Sequence, residues 1–308
     1  MLTLLSAGPL SLIQDLGRTG HQHLGVSPGG PMDMHAFLWA NRLLDNPMNT
    51  SCIEITVGMF NARFEQDTTF ALTGADMNAT LNGTPISAWQ SYHASPGDVL
   101  VLKGTRFGLR AYLAVKAGFN VPTVLQSTAT VIRDELGGLD TRGKALCAQD
   151  TLPYSATPPI IRRQVPAVFI PDYPSQVVLD CIASYQFAWF SSDQHHQFFH
   201  SEYTLTNHSD RMGARLSGAP IPCHQQRLVS EGIALGSVQI PPDGQPIILM
   251  RDRQTIGGYP KLGGLSARSI NTLAQCQPGT TITFRLLPLE QAIEQQREFQ
   301  QFFRQGWE

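Results

Sequence analysis

The sequence has few charged residues and, among the basic ones, few lysines. Charged residues make up 15% of the 308 residues, the formal net charge is -2, and only four of the 22 basic residues are lysines. Binding to nucleic acid or to an acidic membrane surface requires a concentrated basic face. The composition therefore argues against a nucleic-acid partner and against a membrane partner.

Cysteines are scarce and scattered. The chain has five, an odd number, with no C-x-x-C pair: Cys52, Cys147, Cys181, Cys223 and Cys276. Disulfide frameworks and zinc sites both need clustered, paired cysteines. We therefore expect reduced thiols, a cytoplasmic location and no metal site.

Several catalytic motifs are also absent. There is no G-x-S-x-G sequence of a serine hydrolase and no lysine in the Met-Lys-Met setting that carries biotin. The segment 138–144, GLDTRGK, has the spacing of a phosphate-binding loop, but Ala145 occupies the position of the magnesium-binding Ser or Thr. His196 and His200 have helical spacing but no evident acidic or cysteine partner, so exposed histidines explain them better than a metal does. No cofactor motif is therefore recognisable in this chain.

What is present is a series of short β-prone runs separated by turns. Such runs lie at 52–57, 69–72, 80–81, 99–102, 110–115, 167–170, 176–182 and 246–250. Asn82-Gly83 is typical of a tight hairpin. Strands that follow one another without alternating helices indicate a barrel or sandwich, not a nucleotide-binding α/β fold. The sequence thus predicts a mainly β protein.

A few helices and a domain division are also predicted. Asp33 is a plausible N-cap for a helix that ends near Asn46-Pro47, and the polar stretch 288–304 favours a C-terminal surface helix. At 308 residues, two domains are expected. The best linker is 153–166, which contains four prolines, so we place the halves at 1–155 and 156–308.

The segment 251–261, RDRQTIGGYPK, is the strongest candidate site. It follows the apolar run 246–250, so its polar groups emerge where a buried strand ends. Two adjacent glycines allow unusual backbone angles and close approach of a ligand. The candidate residues are Arg253, Gln254, Thr255, Gly257, Gly258, Tyr259 and Lys261. A tight loop with solvated charges is the alternative.

The segment 14–20, QDLGRTG, is a second candidate. Asp15 and Arg18 lie three residues apart between turn-forming residues. They could pair with each other or bind a ligand, and the spacing leaves both possibilities open.

Eight ordered motifs together resemble one family over nearly the whole chain, from about Leu2 to about Ala292. They are Gln14-Asp15-x-Gly17-Arg18-x-Gly20, Pro31-Met32-Asp33, Ala40-Asn41, Glu54-x-Thr56, Leu72-Thr73-Gly74-Ala75, Arg110-x-Tyr112-Leu113-Ala114-Val115, Asp210-Arg211-Met212-Gly213 and Gln254-Thr255-x-Gly257-Gly258-Tyr259-Pro260. This pattern resembles the KipA family, also called allophanate hydrolase subunit 2 or the biotin-dependent carboxyltransferase domain family.

The resemblance implies a fold, partners and an activity. It implies two cyclophilin-like β-barrel halves, an obligate KipI-like partner that forms the B subunit, and a further A subunit when the complex is a 5-oxoprolinase. The implied role is the C subunit of an ATP-dependent 5-oxoprolinase, an amide (lactam) hydrolase that converts 5-oxoproline to glutamate. ATP with Mg would act at the level of the complex, and we expect the chain to be inactive alone.

Two other roles remain open. The chain could be a carboxyltransferase component that acts on urea or a similar small amide, with carboxybiotin supplied by another chain. It could also be a regulatory, KipA-like antagonist that binds a KipI-like kinase inhibitor.

The resemblance also suggests roles for residues. Arg253, Lys261 and the backbone N–H groups near Gly257 would stabilise a carboxylate, a phosphate or an oxyanion. Gln254, Thr255 and Tyr259 would hydrogen-bond the amide. A third set, Asp15, Arg18 and Arg211, could bind the substrate or form structural ion pairs.

This chain departs from the family pattern at several glycines. Where the family usually has Gly-Ser-x-Ser-Thr, this chain has Gln126-Ser127-Thr128-Ala129-Thr130. Ala117, Thr141 and Gln149 also stand where glycine is usual.

Overall fold

The computed structural model describes residues 1–223 and 228–305. The chain forms two compact units, which we call unit 1 (Met1–Thr19 and Gly29–Tyr173) and unit 2 (Gly20–Pro28 and Pro174–Glu308). Residues 156–173 lie with unit 1 in this division, and the domain boundary drawn from the sequence at 155 stays a prediction. Within the described residues, no helix is long and apolar enough to cross a membrane.

Unit 1 consists of two antiparallel sheets and one α-helix. The strands are β1 Leu2–Ala7, β2 Leu10–Gln14, β3 Cys52–Thr56, β4 Gly58–Phe64, β5 Thr68–Asp76, β6 Thr80–Leu81, β7 Thr84–Pro85, β8 Gln90–Ala94, β9 Val99–Gly104, β10 Phe107–Val115 and β11 Thr151–Leu152. One sheet has the order β11-β1-β4-β9-β6-β7 and the other has the order β2-β3-β10-β5-β8. Apolar side chains of both sheets form a buried core, in which the Phe70 ring stacks on Phe64 and Tyr92.

Unit 1 contains the hairpin turn and the helix cap that the sequence predicts. Asn82 and Gly83 join β6 to β7 with φ of 51° and 80°, the left-handed values that a type I′ hairpin turn requires. Helix α1, Met34–Leu43, begins at Asp33, whose carboxylate accepts a hydrogen bond from Ala36 N at 3.1 Å. The predicted hairpin and helix cap are therefore confirmed.

A buried polar network connects α1 to the second sheet. The Tyr112 hydroxyl on β10 donates to Glu54 on β3 at 2.7 Å and accepts from Asp33 N at 2.8 Å. Glu54 also accepts from Met32 N at 2.8 Å. Burial raises the pKa of Tyr112 well above its usual value. These family-motif residues therefore hold the start of the helix against the sheet.

Unit 2 is built around a closed seven-stranded barrel with the strand order β12-β19-β16-β17-β14-β13-β20. The unit 2 strands are β12 Gln176–Ala183, β13 Tyr203–Leu205, β14 Gly213–Gly218, β15 Glu231–Gly232, β16 Ser237–Gln239, β17 Ile247–Leu249, β18 Ile256–Gly257, β19 Lys261–Leu265 and β20 Thr281–Leu286. Its helices are α2 Ser192–His200, α3 Ala267–Gln275 and α4 Leu289–Arg304. The mainly β fold and the C-terminal helix are confirmed.

One predicted strand is wrong. Residues Ala167–Phe169 form a short 3-10 helix, in which Phe169 N donates to Pro166 O and Ile170 N donates to Ala167 O. Proline on both sides of the segment explains the difference, because Pro166 and Pro171 have no N–H to contribute to a sheet ladder. The apolar run therefore turns locally instead of pairing.

Four positions where the family usually has glycine adopt left-handed backbone angles in this chain. Ala117, Gln126, Thr141 and Gln149 have φ of 66°, 64°, 66° and 74°. Glycine adopts such angles without strain, whereas for other L-residues the strain costs about 1–2 kcal/mol each. These turns therefore carry backbone strain that a glycine would relieve.

We expect the Gln149→Gly substitution to raise the free energy of unfolding by about 0.5–1 kcal/mol, because the relief of strain exceeds the added flexibility of the unfolded chain. Gln149 is exposed, so little packing is lost. The control is Ala148→Gly, a neighbouring exposed residue outside the positive-φ set, which should lower stability instead. Urea unfolding of both variants measures the difference, and equal effects would contradict the strain argument.

Candidate functional site

The candidate loop 251–261 includes a strand that belongs to a small hairpin of unit 2. Within the loop, β18 pairs antiparallel with β15, so that Gly257 lies opposite Glu231. Ile233 N also donates to Thr255 O at 3.0 Å. Lys261, at the end of the loop, is the first residue of β19 and lies opposite Gln239 of β16 in the barrel. The barrel and the hairpin together therefore position the loop.

Arg211 and Asp252 form a buried ion pair at the start of the loop. Arg211 Nε lies 2.8 Å from Asp252 Oδ2, and Arg211 Nη2 lies 2.9 Å from Oδ1. Both side chains are buried, and Asp252 N donates to Arg211 O at 2.9 Å. A two-point Arg–carboxylate contact is directional and strong. This contact fixes the loop that follows β17 to the strand that follows Arg211.

Arg253 has a buried guanidinium group that donates to main-chain carbonyls. It is 5% exposed, with Nε donating to Ile233 O and Nη1 donating to Met250 O, each at 3.2 Å. Burial, and secondarily the charge of Arg251, lowers the pKa of Arg253 to about 10. The guanidinium group is still protonated at neutral pH, so it places a buried positive charge within the loop. Ser27 Oγ donates to Arg253 O at 3.0 Å.

Lys261 belongs to a polar network centred on Glu231. Its Nζ contacts Glu231 Oε1, the Tyr185 hydroxyl contacts Glu231 Oε2, and Gln186 Nε2 donates to Oε1 at 2.7 Å. The hydrogen bond from Lys261, followed by that from Tyr185, lowers the pKa of Glu231. The bond to Glu231 in turn raises the pKa of Tyr185. The network therefore holds an ammonium, a carboxylate and a phenol together.

Gln186 also fixes the backbone at Lys261. Lys261 N donates to Gln186 Oε1 at 2.6 Å, and the Ser184 hydroxyl donates to Lys261 O. Lys261 is buried along its length, whereas Tyr185 is 68% exposed. The network therefore reaches from the barrel to the solvent. A buried ammonium held by one carboxylate can donate to an oxygen that gains negative charge.

The two glycines serve close packing here, because neither Gly257 nor Gly258 has a positive φ. A Cβ on Gly257 would lie 3.2 Å from Gln239 Nε2, 3.6 Å from Gln254 Nε2 and 2.5 Å from Ile233 Cδ1. A Cβ on Gly258 would lie 3.0 Å from Leu228 O. The unusual backbone angles that glycine permits are therefore not used at these positions, and the missing side chain is what matters.

The remaining loop residues lie nearer the surface. Tyr259 is 44% exposed, and Gln254 and Thr255 are half-buried. The structure thus brings Gln254, Gly257 and Lys261 to the β15–β18 hairpin and leaves the Tyr259 ring partly in solvent. That these residues bind a substrate stays a prediction.

Asp15 and Arg18 lie in unit 1 and bind the 124–130 loop. Asp15 accepts hydrogen bonds from Gly17 N, from Ser127 Oγ at 2.6 Å and from Thr128 N at 2.7 Å. Arg18 is almost fully buried and donates to Val124 O and Ala129 O. These contacts are sufficient for a structural role, and a ligand role for either residue stays a prediction.

The sequence interpretation missed four residues of this region: Tyr185, Gln186, Glu231 and Gln239. The first three belong to the hydrogen-bonded network around Lys261, yet each lies far from it along the chain. Gln239 offered one signal, since it is a polar residue that ends the short strand SVQ directly before Ile240.

No metal centre emerges from the histidines of the described chain. Among residues 1–223 and 228–305 there is no cluster of three His, Cys, Asp or Glu side chains able to hold a metal ion. His195 stacks on the Phe187 ring at 3.7 Å between centroids, and His196 stacks on His200 at 4.0 Å.

We expect the Arg211→Met substitution to lower the free energy of unfolding by about 3 kcal/mol, because it removes the two-point contact to the buried Asp252 carboxylate. The control is Arg63→Met, which removes the partly exposed Arg63–Glu65 pair and should cost less than about 1 kcal/mol. Denaturant unfolding of both variants gives the comparison. Similar losses in the two variants would mean that the Arg211–Asp252 contact contributes no more than a surface pair.

Comparison with known proteins assigns the chain to a family. The family model described as "Carboxyltransferase domain, subdomain A and B" matches residues 24–286. The C subunit of 5-oxoprolinase from Haemophilus influenzae is 36% identical over 299 residues, which cover 97% of this chain and 95% of that protein. The C subunit of 5-oxoprolinase from Escherichia coli K12 is 34% identical over 306 residues, covering 99% and 97%.

A solved structure supports the same grouping. The crystal structure of the K. lactis urea amidolyase has a TM-score of 0.91 and 25% sequence identity to this chain, over 98% of this chain and 20% of that one. This chain therefore corresponds to about a fifth of that enzyme. The motif-based resemblance is confirmed, and the chain belongs to the carboxyltransferase domain family, subdomain A and B.

Proposed function

We propose that this chain is the C subunit of a 5-oxoprolinase-type complex, which cleaves 5-oxoproline to glutamate with hydrolysis of ATP. The observation that carries the proposal is the near full-length similarity to two proteins named as the C subunit of 5-oxoprolinase. The Lys261–Glu231 network supports it, because the network combines groups that can bind and polarise an amide.

The chemistry of lactam cleavage suits these groups. When the ring amide is attacked, negative charge develops on its carbonyl oxygen, and a fixed positive donor stabilises that charge. In the proposal, the Lys261 ammonium supplies this donor and Glu231 holds it in place. Arg253 adds a buried positive charge within the loop, and Gln254, Thr255 and Tyr259 hydrogen-bond the substrate.

The proposed complex has further components. A KipI-like B subunit and an A subunit would join this chain, and ATP with Mg would act at the level of the complex in the cytoplasm. The chain alone is expected to be inactive, because its sequence contains no complete nucleotide-binding motif.

Carboxyl transfer to urea or a similar small amide is the second candidate. The observation that favours it is the TM-score of 0.91 with the K. lactis urea amidolyase. In this alternative the same loop would bind the amide, and another chain would supply carboxybiotin. Activity would then depend on bicarbonate and would be blocked by avidin.

The first experiment reconstitutes the three-component complex and measures phosphate and glutamate release from 5-oxoproline and ATP. Each component is omitted in turn. Release that requires this chain supports the proposal. An assembled complex that releases neither product would overturn it and leave carboxyl transfer or a regulatory role.

We expect Lys261→Met in the reconstituted complex to lower kcat by about 100-fold or more, a typical effect of removing one donor to a developing oxyanion. The matched control is Lys103→Met, an exposed lysine in unit 1, which should leave kcat unchanged. Steady-state glutamate release gives both values, and melting curves show whether each variant stays folded. Full activity of folded Lys261→Met would exclude the assigned role.

A further inference from the structure

Gln239 has a polar group that is buried and makes no hydrogen bond within the described part of the chain. The residue ends β16 and is 2% exposed, yet among residues 1–223 and 228–305 its Nε2 has no acceptor, and it is shielded from solvent. A buried amide N–H that makes no hydrogen bond destabilises a folded protein. An apolar residue of similar size would avoid this cost, so the glutamine requires an explanation.

This buried nitrogen lies beside the candidate loop. The position of a Cβ on Gly257 would be 2.5 Å from Ile233 Cδ1, 3.2 Å from Gln239 Nε2 and 3.6 Å from Gln254 Nε2, so one apolar side chain and two side-chain amides border this glycine. Gln239 is paired across the ladder with Lys261, which contacts Glu231, and Glu231 is paired with Gly257. Gln239 therefore belongs to the same local arrangement as the Lys261 network.

The charge balance indicates what kind of group Gln239 would bind. The ammonium of Lys261 is already compensated by the Glu231 carboxylate, and the Gln239 amide is itself uncharged. A neutral N–H donor at a buried position suits a neutral carbonyl oxygen, because it satisfies that oxygen without adding a charge.

We propose that Gln239 is a substrate-binding residue whose Nε2 donates a hydrogen bond to the carbonyl oxygen of a small amide or lactam beside Gly257. The assignment of the ligand class rests on the proposed function. A methyl group at position 257 would lie 2.5 Å from Ile233 Cδ1 and 3.2 Å from Gln239 Nε2, so only glycine leaves this position uncrowded. An amide ligand completes the hydrogen bonding that the free protein leaves unmade.

If Gln239 binds the substrate, its replacement should change the stability of the protein and its affinity for 5-oxoproline in different directions. Gln239→Met keeps similar volume but removes the donor, so the free protein should melt at the same or a higher temperature. The same variant should raise KM for 5-oxoproline about 10-fold in the reconstituted complex, the equivalent of one lost hydrogen bond, and change kcat little. A purely structural glutamine would give the opposite result, a lower melting temperature with unchanged KM.

A matched control is available in Gln245, whose amide is fully engaged with one backbone residue. Its Oε1 accepts from Gly218 N at 2.9 Å and its Nε2 donates to Gly218 O at 3.2 Å. Gln245→Met should therefore lower the melting temperature and leave KM unchanged.

Binding measured without turnover distinguishes this inference from the proposed function. Calorimetric titration of the assembled complex with 5-oxoproline, 2-pyrrolidone and urea should detect at least one ligand, and Gln239→Met should weaken that binding about 10-fold. If no 5-oxoproline is hydrolysed but such a difference appears, the proposed function fails and the role of Gln239 stands. Equal binding by wild type and Gln239→Met, or no binding of any probe, would overturn the inference.

Discussion

Closure of the unit 2 barrel is the constraint on which the candidate site depends. The parallel pairing of β12 with β20 joins strands that are far apart in the sequence and completes a ring of seven strands. Once the ring is closed, β19 lies between β12 and β16, so Lys261 and Gln239 are neighbours across the ladder. The short β15–β18 hairpin then brings Glu231 to Lys261. The strand order therefore brings together polar groups from distant parts of the sequence.

Buried charge in unit 2 is divided between two kinds of environment. Arg211 and Asp252 satisfy each other through two hydrogen bonds, which suits a contact that holds a loop in place. Lys261 instead shares a carboxylate that also bonds a solvent-exposed tyrosine. The first contact is buried, whereas the second network ends at the protein surface. This difference motivates the proposal that Lys261 takes part in the chemistry, whereas a ligand role for Arg211 stays a prediction.

Local sequence signals were sufficient for much of the fold. Asn82-Gly83 forms the turn of the predicted hairpin and Asp33 caps the predicted helix. Both features could be predicted because they depend on only a few neighbouring residues. The segment 167–170 had an apolar, strand-like composition, but its flanking prolines prevented pairing. At the site, the apolar run before Arg251 located the loop correctly. It could not reveal Gln239, whose Nε2 is buried without an acceptor among residues 1–223 and 228–305.

The sequence by itself determined a mainly β chain, the turns and caps within it, and the polar loop 251–261 directly after a buried strand. These features follow from hydrophobic pattern and turn chemistry, which are short-range. Only the tertiary structure decided that Glu231 holds Lys261, that Ser127 and Thr128 bond Asp15, and that Gln239 lies beside Gly257. The physical reason is that strand pairing in a closed barrel joins residues far apart in sequence, and no local pattern encodes which partners meet.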